Sequence, residues 1–310
     1  MYTGPITSEL LRGSVIAVPP LCLSQDLTPN NHGMSQIAQN LHNGGVSTIL
    51  YGGNANMANY PISMFGHLLE AFIETVADEQ SWIIPSVGPD YGKCEDQLAI
   101  CRALGFPAAM ILPMREMCTP DGFATGVRRL AEKHGIPFCL YLKFENYIDP
   151  KEMAALVKDG CVVAVKYAVE REDYHNDLYL REISETLDAD ILVSGIGEMP
   201  TPIHFAEANI ASFSSGGVCI APKLSTKLLR ALQSRDKETV QVLLTNYEDL
   251  ESVRFMNSPA GILHEAIEDI GIAETGPMMP FNSRGSDTRL REMGKAAASK
   301  LLQAEILQSK

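Results

Sequence analysis

Eight short runs of β-branched and other apolar residues recur along the chain, and they constrain its fold more than any other feature. The runs cover residues 14–18, 46–51, 82–87, 108–112, 138–142, 162–167, 191–194 and 210–214. Amphipathic segments with helical spacing lie between them, and successive runs begin about 20 to 36 residues apart, the length of one strand–helix unit with parallel strands. Several runs are apolar at nearly every residue, as expected for strands that are buried on both faces.

Eight such units in succession predict a closed (β/α)₈ barrel, or TIM barrel, which typically takes ~250 residues. We assign the barrel and its active site to residues 1–230. Residues 231–310 carry helical patterns at 237–255, 259–270 and 286–302 without strand signals, so we expect a C-terminal helical subdomain there. The alternative is a doubly wound α/β sheet, but its best marker, a G-x-G-x-x-G motif after the first strand, is absent from the sequence.

The charge balance limits the partners of the chain. Its 310 residues include 25 Lys and Arg against 38 Asp and Glu, a net charge of −13, and no run of basic residues that would bind nucleic acid or an anionic membrane. No apolar stretch approaches the ~20 residues of a membrane span, and the N-terminus lacks the features of a signal peptide. We therefore expect a cytoplasmic protein that binds neither nucleic acid nor membranes.

The cysteines and histidines form no recognisable ligand pattern. Seven of each are scattered along the chain, without C-x-x-C, H-x-H or H-x-x-x-H spacing. Metal sites held by protein side chains usually show such spacings. We expect free, mostly buried thiols and no protein-held metal ion.

The sixth strand ends on a lysine, at the end of the barrel where chemistry takes place in this fold. The two-residue period of a strand puts Lys166 on the same face as Val162 and Ala164. If that face points into the barrel, burial lowers the pKa of the amine, and an unprotonated amine can attack a carbonyl to form a Schiff base. A lysine that snorkels outward is the alternative. We favour an inward-facing lysine and Schiff-base chemistry, because the outward face of the strand lies under a helix, where a charge is less favourable than at the rim of the barrel.

The fifth strand places a tyrosine next to this lysine. Tyr141 shares a face with Cys139 and Lys143, and adjacent parallel strands lie under ~5 Å apart. A phenol beside Lys166 can move the protons that Schiff-base chemistry requires. Lys143 is the rival nucleophile, but it follows the strand end, where solvent favours the charged amine.

Two glycines open the loop after the second strand, which reads Gly52-Gly53-Asn54-Ala55-Asn56. Glycines allow a ligand to approach the backbone, and amides near a helix N-terminus suit a small anion such as a carboxylate. We expect Gly53, Asn54 and Ala55 to form a carboxylate-binding cradle. Gly-Asn loops also form ordinary turns, so the motif alone leaves both interpretations open.

Other candidate binding residues follow strands four, seven and eight. Arg115 is placed to pair with a substrate carboxylate or with Glu116. Gly195 and Gly217 follow strands seven and eight, where barrels often bind phosphate. Because Glu198 would repel a phosphate, we expect a glycine-lined substrate cavity; a phosphosugar site is the alternative.

A set of motifs spread over nearly the whole chain is shared with one protein family. The motifs are Arg12-Gly13, Val18-Pro19-Pro20, the glycine-rich loop after strand two, Tyr141, Lys166 within Val-Ala-Val-Lys, Ser194-Gly195 and Gly216-Gly217. In these residues the chain resembles the dihydrodipicolinate synthase / N-acetylneuraminate lyase family. The resemblance implies a homo-oligomer, a tetramer or dimer, that needs no metal or organic cofactor.

The resemblance also implies class I aldolase chemistry. A 2-keto acid, usually pyruvate, would form a Schiff base with Lys166, and Tyr141 would relay protons. The loop after strand two would hold the keto-acid carboxylate, while Arg115 and Lys143 would be available near the mouth for a second substrate.

The chain departs from the lysine-biosynthesis members of that family. Those members carry Gly-Thr-Thr-Gly-Glu in the loop after strand two, a second tyrosine where this chain has Met114-Arg115, and an arginine where it has Asn146. We therefore predict a divergent Schiff-base-forming lyase, either an aldolase or a dehydratase, that acts on pyruvate, another 2-keto acid or a 2-keto-3-deoxy sugar acid. The alternative is a catalytically silent member that binds a keto or sugar acid as a sensor or scaffold.

Overall fold

A computed structural model describes residues 1–76, 78–187, 190–256, 258–284 and 287–307 of the protein. Its strands are β1 (Ile16–Ala17), β2 (Thr48–Tyr51), β3 (Trp82–Val87), β4 (Ala109–Ile111), β5 (Phe138–Leu142), β6 (Val162–Tyr167), β7 (Leu192–Ser194) and β8 (Ile210–Ser215). Seven of the eight runs predicted from the sequence contain one of these strands, and β8 extends one residue beyond the eighth run, to Ser215, so the strand predictions are confirmed.

The strands form one closed, parallel barrel in chain order. Each strand pairs with the next, and β8 pairs with β1 through Ser214 and Ile16, which closes the sheet. Closure excludes the doubly wound alternative, whose sheet is open at both edges. The predicted TIM barrel is therefore confirmed.

A first helix precedes β1, further helices alternate with the strands around the barrel, and the remaining helices form the C-terminal region. They are α1 (Ser8–Gly13), α2 (Asn31–Asn43), α3 (Ile62–Thr75), α4 (Tyr91–Ala103), α5 (Pro120–His134), α6 (Pro150–Lys158), α7 (Leu178–Thr186), α8 (Thr201–Glu207), α9 (Pro222–Gln233), α10 (Lys237–Leu244), α11 (Glu248–Phe255), α12 (Pro259–Asp269) and α13 (Thr288–Leu307). Local sequence sets several boundaries. Helix α5, for example, begins after Thr119, whose Oγ1 accepts the N–H of Gly122, and ends at Gly135 in the left-handed conformation.

The core confirms that the strands are buried on both faces. Every residue of β3, from Trp82 to Val87, is buried, and so is every residue of β8. Inward side chains fill the barrel, while outward side chains pack under the helices. This two-sided burial explains why the sequence runs are apolar without alternation.

The C-terminal region is helical, as predicted, but its first helix is divided. The helical pattern at 237–255 is confirmed, but it contains two helices, α10 and α11, separated at residues 245–247. Tyr247 is buried at this break, and its hydroxyl lies 2.8 Å from Oγ of Ser225 in α9. The chain therefore turns where Tyr247 packs into the core. The predicted start of the last helix at Ser286 lies outside the described residues.

The last helix packs back onto the barrel. Both carboxylate oxygens of Glu305 in α13 accept backbone N–H groups at the start of α9, from Lys223 and Leu224 at 2.9 Å each. Helix α13 also contacts α11 and α12. Residue 230 lies within α9, and the division of the chain at that residue stays a prediction.

None of the described helices combines the length and the apolar character that a membrane span requires. The seven cysteines all lie in the described residues and are free thiols, and every one except Cys118 is buried. The expectation of free, mostly buried thiols is confirmed.

Candidate active site

A cavity of about 320 Å³ opens at the C-terminal ends of the barrel strands. Strand ends, the loops that follow them and the C-terminal helical region all contribute to its wall. Among the residues that line it are Gly53, Asn54, Tyr141, Lys143, Lys166, Gly195, Ser214, Gly216, Glu251 and Arg254. Catalytic groups of TIM barrels lie at this end of the strands, so the cavity is the candidate active site.

Lys166 reaches the cavity from the inner face of β6 and is only 5% exposed. Its Cα is paired with that of Tyr141 on β5, as the strand alignment predicted. The Nζ atom lies 4.4 Å from the centroid of the Tyr141 ring. Lys166 therefore faces the cavity rather than snorkelling outward.

Burial is the main reason that the pKa of Lys166 falls from 10.5 to about 8. The positive charges of Lys143 and Arg254 act in the same direction, while Cys139 opposes them. With this pKa, roughly a tenth of the amine is unprotonated at pH 7, against well under a thousandth for an ordinary lysine. Lys166 is thus suited to nucleophilic attack near neutral pH.

Tyr141 is a proton-carrying group at the same level of the barrel. Burial raises the pKa of its phenol to about 12, and the negative charge of Glu170 adds to this effect. The phenol therefore stays protonated near neutral pH. Its ring packs on the Lys166 amine, and its hydroxyl is available as a general acid.

The loop after β2 offers unpaired backbone donors beside the cavity. Gly53 and Asn54 line the cavity, and a Cβ at Gly53 would meet no atom within 4 Å, so the backbone there is open to a ligand. Among the described residues, the N–H groups of Asn54 and Ala55 find no hydrogen-bond acceptor. Ala55 is buried and is not part of the cavity lining, which it adjoins through Asn54.

Two amide side chains hold this loop in place. Nδ2 of Asn54 donates to the carbonyl of Val18 at 2.7 Å, and Nδ2 of Asn56 donates to that of Met279 at 2.9 Å. Asn56 has a φ of 52°, in the left-handed region that asparagine tolerates better than most residues. The sequence Gly-Asn-Ala-Asn thus fixes the loop between β1 and the C-terminal region.

The glycines after β7 and β8 allow close backbone packing. A Cβ at Gly195 would lie 2.6 Å from the Tyr167 carbonyl oxygen, so no larger residue fits there without a shift. Gly195 and Gly216 line the cavity, whereas Gly217 is buried and lies outside the lining. Ser214, also in the lining, has a buried Oγ without a hydrogen-bond partner in the described part of the chain.

Glu198 is buried behind the wall formed by β8. Its Oε1 accepts a hydrogen bond from Oγ of Ser215 at 2.6 Å. Burial, together with the charge of Glu251, raises the pKa of Glu198 to about 8. The carboxyl is therefore mostly protonated at neutral pH, and the repulsion of phosphate that we expected from its charge is not supported.

The two cations predicted at the mouth differ in position. Lys143 is exposed, lines the cavity and lies 4.0 Å from Glu170. Arg115 is exposed and stacks over the ring of Phe144, with 5.6 Å between its guanidinium carbon and the ring centroid. It makes no ion pair with Glu116 in the described part of the chain, and it is not part of the cavity lining.

Two charged residues of α11 line the cavity, and the sequence interpretation missed both. Arg254 and Glu251 are 7% and 3% exposed, and Nη1 of the arginine donates to Oε1 of the glutamate at 2.5 Å. In the sequence, Glu-x-x-Arg on a helix has the spacing of an ordinary surface ion pair. Only the packing of the C-terminal helices over the barrel brings the pair into the cavity.

Comparisons with known proteins agree with this fold. No family model matches the chain. The 4-hydroxy-tetrahydrodipicolinate synthase of Methanopyrus kandleri is 25% identical over 227 residues, which cover 70% of this chain and 73% of that protein. In sequence and in fold the chain is therefore similar to a divergent member of the dihydrodipicolinate synthase / N-acetylneuraminate lyase family.

Solved structures from the two branches of this family share the fold along nearly the whole chain. Dihydrodipicolinate synthase from Bacillus clausii superposes with a TM-score of 0.81 at 18% identity, over 96% of this chain and 98% of that one. The wild-type sialic acid aldolase of Ruminococcus gnavus superposes with a TM-score of 0.81 at 12% identity, over 96% and 99%. A catalytic lysine mutant of the same aldolase superposes with a TM-score of 0.80.

Metal-binding side chains do not converge in the part of the chain that the structure describes. No group of three or more His, Cys, Asp or Glu residues there is placed to hold a metal ion. The polar groups that line the cavity include amines, a phenol, a guanidinium, carboxylates, serine hydroxyls and amides.

Proposed function

We propose that the protein is a Schiff-base-forming lyase, an aldolase or a dehydratase, that acts through Lys166. Its substrate would be pyruvate, another 2-keto acid or a 2-keto-3-deoxy sugar acid. One observation carries the proposal: Lys166 is buried in the wall of a polar cavity, with its pKa lowered to about 8. A lysine in this position is costly to keep charged and is available as a nucleophile.

The cavity provides the groups for each step of such a reaction. The lone pair of Nζ of Lys166 adds to the C2 carbonyl, and the resulting carbinolamine loses water to give an iminium ion. In an aldol cleavage, the C3–C4 bond breaks as the C4 hydroxyl loses its proton, and the electrons are held in the enamine. In a dehydration, C3 loses a proton and C4 loses its hydroxyl group as water. In this proposal Tyr141, whose phenol keeps its proton at neutral pH, carries protons in these steps.

We assign the keto-acid carboxylate to the loop after β2. The unpaired N–H groups of Asn54 and Ala55 would bind it, and Gly53 leaves room for its approach. Gly195 would keep the β7 side of the cavity narrow, and Lys143 would meet the distal part of a second substrate. Arg115 and Gly217 lie outside the cavity lining and have no role in this proposal.

We further propose that the protein is a cytoplasmic homo-oligomer, a dimer or tetramer. Met117 is fully exposed beside an apolar depression that includes Tyr91, Phe123 and Tyr147. Such a patch is typical of a protein interface. Light scattering coupled to size-exclusion chromatography tests this point, and a monomer at micromolar concentration would contradict it.

Borohydride trapping tests the proposed chemistry. Incubation with pyruvate and sodium borohydride should attach a reduced pyruvyl group to the peptide that contains Lys166, as detected by mass spectrometry. Lys166→Ala should abolish the adduct, whereas Lys143→Ala should retain it on Lys166, because Lys143 is the other lysine in the lining. Absence of an adduct on the wild-type protein with any 2-keto acid would refute the proposal.

A silent, ligand-binding protein is the second candidate, favoured by the lack of hydroxyl side chains in the loop after β2. In that case keto or sugar acids would raise the melting temperature without turnover. Lys166→Ala would then leave their binding largely intact.

A further inference from the structure

The guanidinium of Arg254 is buried, and only two of its three nitrogens donate hydrogen bonds to described residues. Nη1 donates to Glu251, and Nε donates to the carbonyl of Pro259 at 3.2 Å. The third nitrogen, Nη2, makes no hydrogen bond to any residue that the structure describes. Nη2 is not among the fully buried unpaired atoms, and Arg254 lines the cavity, so this nitrogen is accessible to a ligand that could accept its hydrogen bonds.

The free nitrogen faces the loop after β2. A Cβ built on Gly216, which lines the cavity, would lie 3.1 Å from Nη2 of Arg254 and 2.9 Å from Nδ2 of Asn54. The two nitrogens are therefore within about 6 Å of each other. A side chain from α11 thus meets the loop whose backbone N–H groups are also unpaired.

The cavity wall carries one more cationic than anionic side chain, which favours the binding of one anion. Arg254, Lys143 and Lys166 are the lysines and arginines of the cavity wall, and Glu170 and Glu251 are its carboxylates. Glu251 already engages Nη1 and orients the guanidinium, which leaves Nη2 without a partner in the described residues and within about 6 Å of Nδ2 of Asn54. A substrate carboxylate at this point would accept a charge-assisted hydrogen bond.

We propose that Arg254 binds the carboxylate of the 2-keto acid, together with the N–H groups of the loop after β2. This inference rests on the proposed function and deepens it, because it defines the preferred substrates as 2-oxo acids rather than neutral ketones or esters. Arg254 takes the place of the hydroxyl groups that the loop lacks. Its role is to hold the carboxylate so that C2 lies within reach of Lys166.

Binding to a variant that cannot form the Schiff base tests the arginine directly. Titration calorimetry of Lys166→Ala with pyruvate should show binding that Arg254→Met, added to the same background, weakens by roughly 10- to 100-fold, the effect of one charged hydrogen bond. Methyl pyruvate, which lacks the charge, should bind both proteins equally weakly. Arg254→Met leaves the carboxylate of Glu251 unpaired. The double variant Arg254→Met/Glu251→Gln removes both charges, so we expect it to stay folded and to lose affinity for pyruvate to the same extent.

Trapping rates provide the second measurement. In the wild-type protein, pyruvate should be trapped on Lys166 faster than methyl pyruvate, and Arg254→Met should reduce this preference by roughly 10-fold or more. The ratio is informative because any change in the reactivity of Lys166 affects both compounds equally. An unchanged preference, or an equal loss of binding for the acid and the ester, would overturn the assignment of Arg254 while the Schiff-base proposal stands. Pyruvate binding through Arg254 without any adduct would instead refute the proposed function and leave the carboxylate site intact.

Discussion

Replacing Lys166 with methionine is expected to stabilise the protein, because the folded state now holds an amine that is costly to protonate. Lys166 is 5% exposed, and burial lowers its pKa from 10.5 to about 8. Methionine keeps an unbranched side chain of similar length and has no charge to desolvate. The perturbation therefore removes the electrostatic cost and retains most of the packing.

The size of the effect follows from the two pKa values. A change from 10.5 to about 8 corresponds to about 3 kcal/mol of differential stability between the two protonation states. Because the folded-state pKa is the lower one, the unfolded state binds more protons between these values. The destabilisation of the folded state by the buried Lys166 amine is therefore fully present below about pH 8 and disappears as the pH rises past 10.5.

Urea unfolding at two pH values measures this cost. At pH 7 we expect Lys166→Met to be more stable than the wild type by about 3 kcal/mol, and at about pH 9.5 we expect this advantage to shrink by about 2 kcal/mol. Lys151→Met, at an exposed lysine in the first turn of α6, is the matched control and should show no comparable dependence on pH. Equal stability of Lys166→Met and wild type at pH 7, or an advantage that does not change with pH, would refute the reasoning.

Two further substitutions address the neighbours of the site. Tyr141→Phe keeps the ring against the Lys166 amine but removes the hydroxyl. Trapping with pyruvate, followed by mass spectrometry over time, should therefore slow by roughly 10²- to 10⁴-fold, while the adduct stays on Lys166. An unchanged rate would exclude the phenol as the proton carrier. Glu198→Gln removes a carboxyl whose pKa is raised to about 8. In urea unfolding, the wild type should therefore lose stability relative to this variant as the pH rises from 4.5 to 8. A difference in stability that stays constant over this pH range would contradict the raised pKa.

The barrel and its central lysine were predictable from the sequence because the signals are local. Each strand is buried on both faces and therefore appears as a short apolar run. The pairing of Tyr141 with Lys166 followed from the two-residue period and the order of parallel strands, and the register confirms it. These inferences needed only neighbouring residues and the repeating geometry of strand–helix units.

The rest of the cavity was not predictable because it depends on contacts between distant segments. Arg254 and Glu251 have the spacing of a surface ion pair, and only the docking of α11 over the strand ends buries them. Arg115 follows a strand end, yet it lies over Phe144 outside the cavity. The interpretation of Glu198 failed for a related reason, since its pKa depends on burial and on Glu251, which is distant in sequence.

The lining of the cavity extends along the chain from Val18 to Asn282, and this has a consequence for synthesis. A nascent chain presents Lys166 long before α11 and the segment around Asn282 leave the ribosome. Until those residues dock, the amine is more hydrated, and its pKa stays closer to that of a free lysine. The low pKa of Lys166 is therefore acquired late, because both its burial and the nearby charge of Arg254 depend on segments that are synthesised after it.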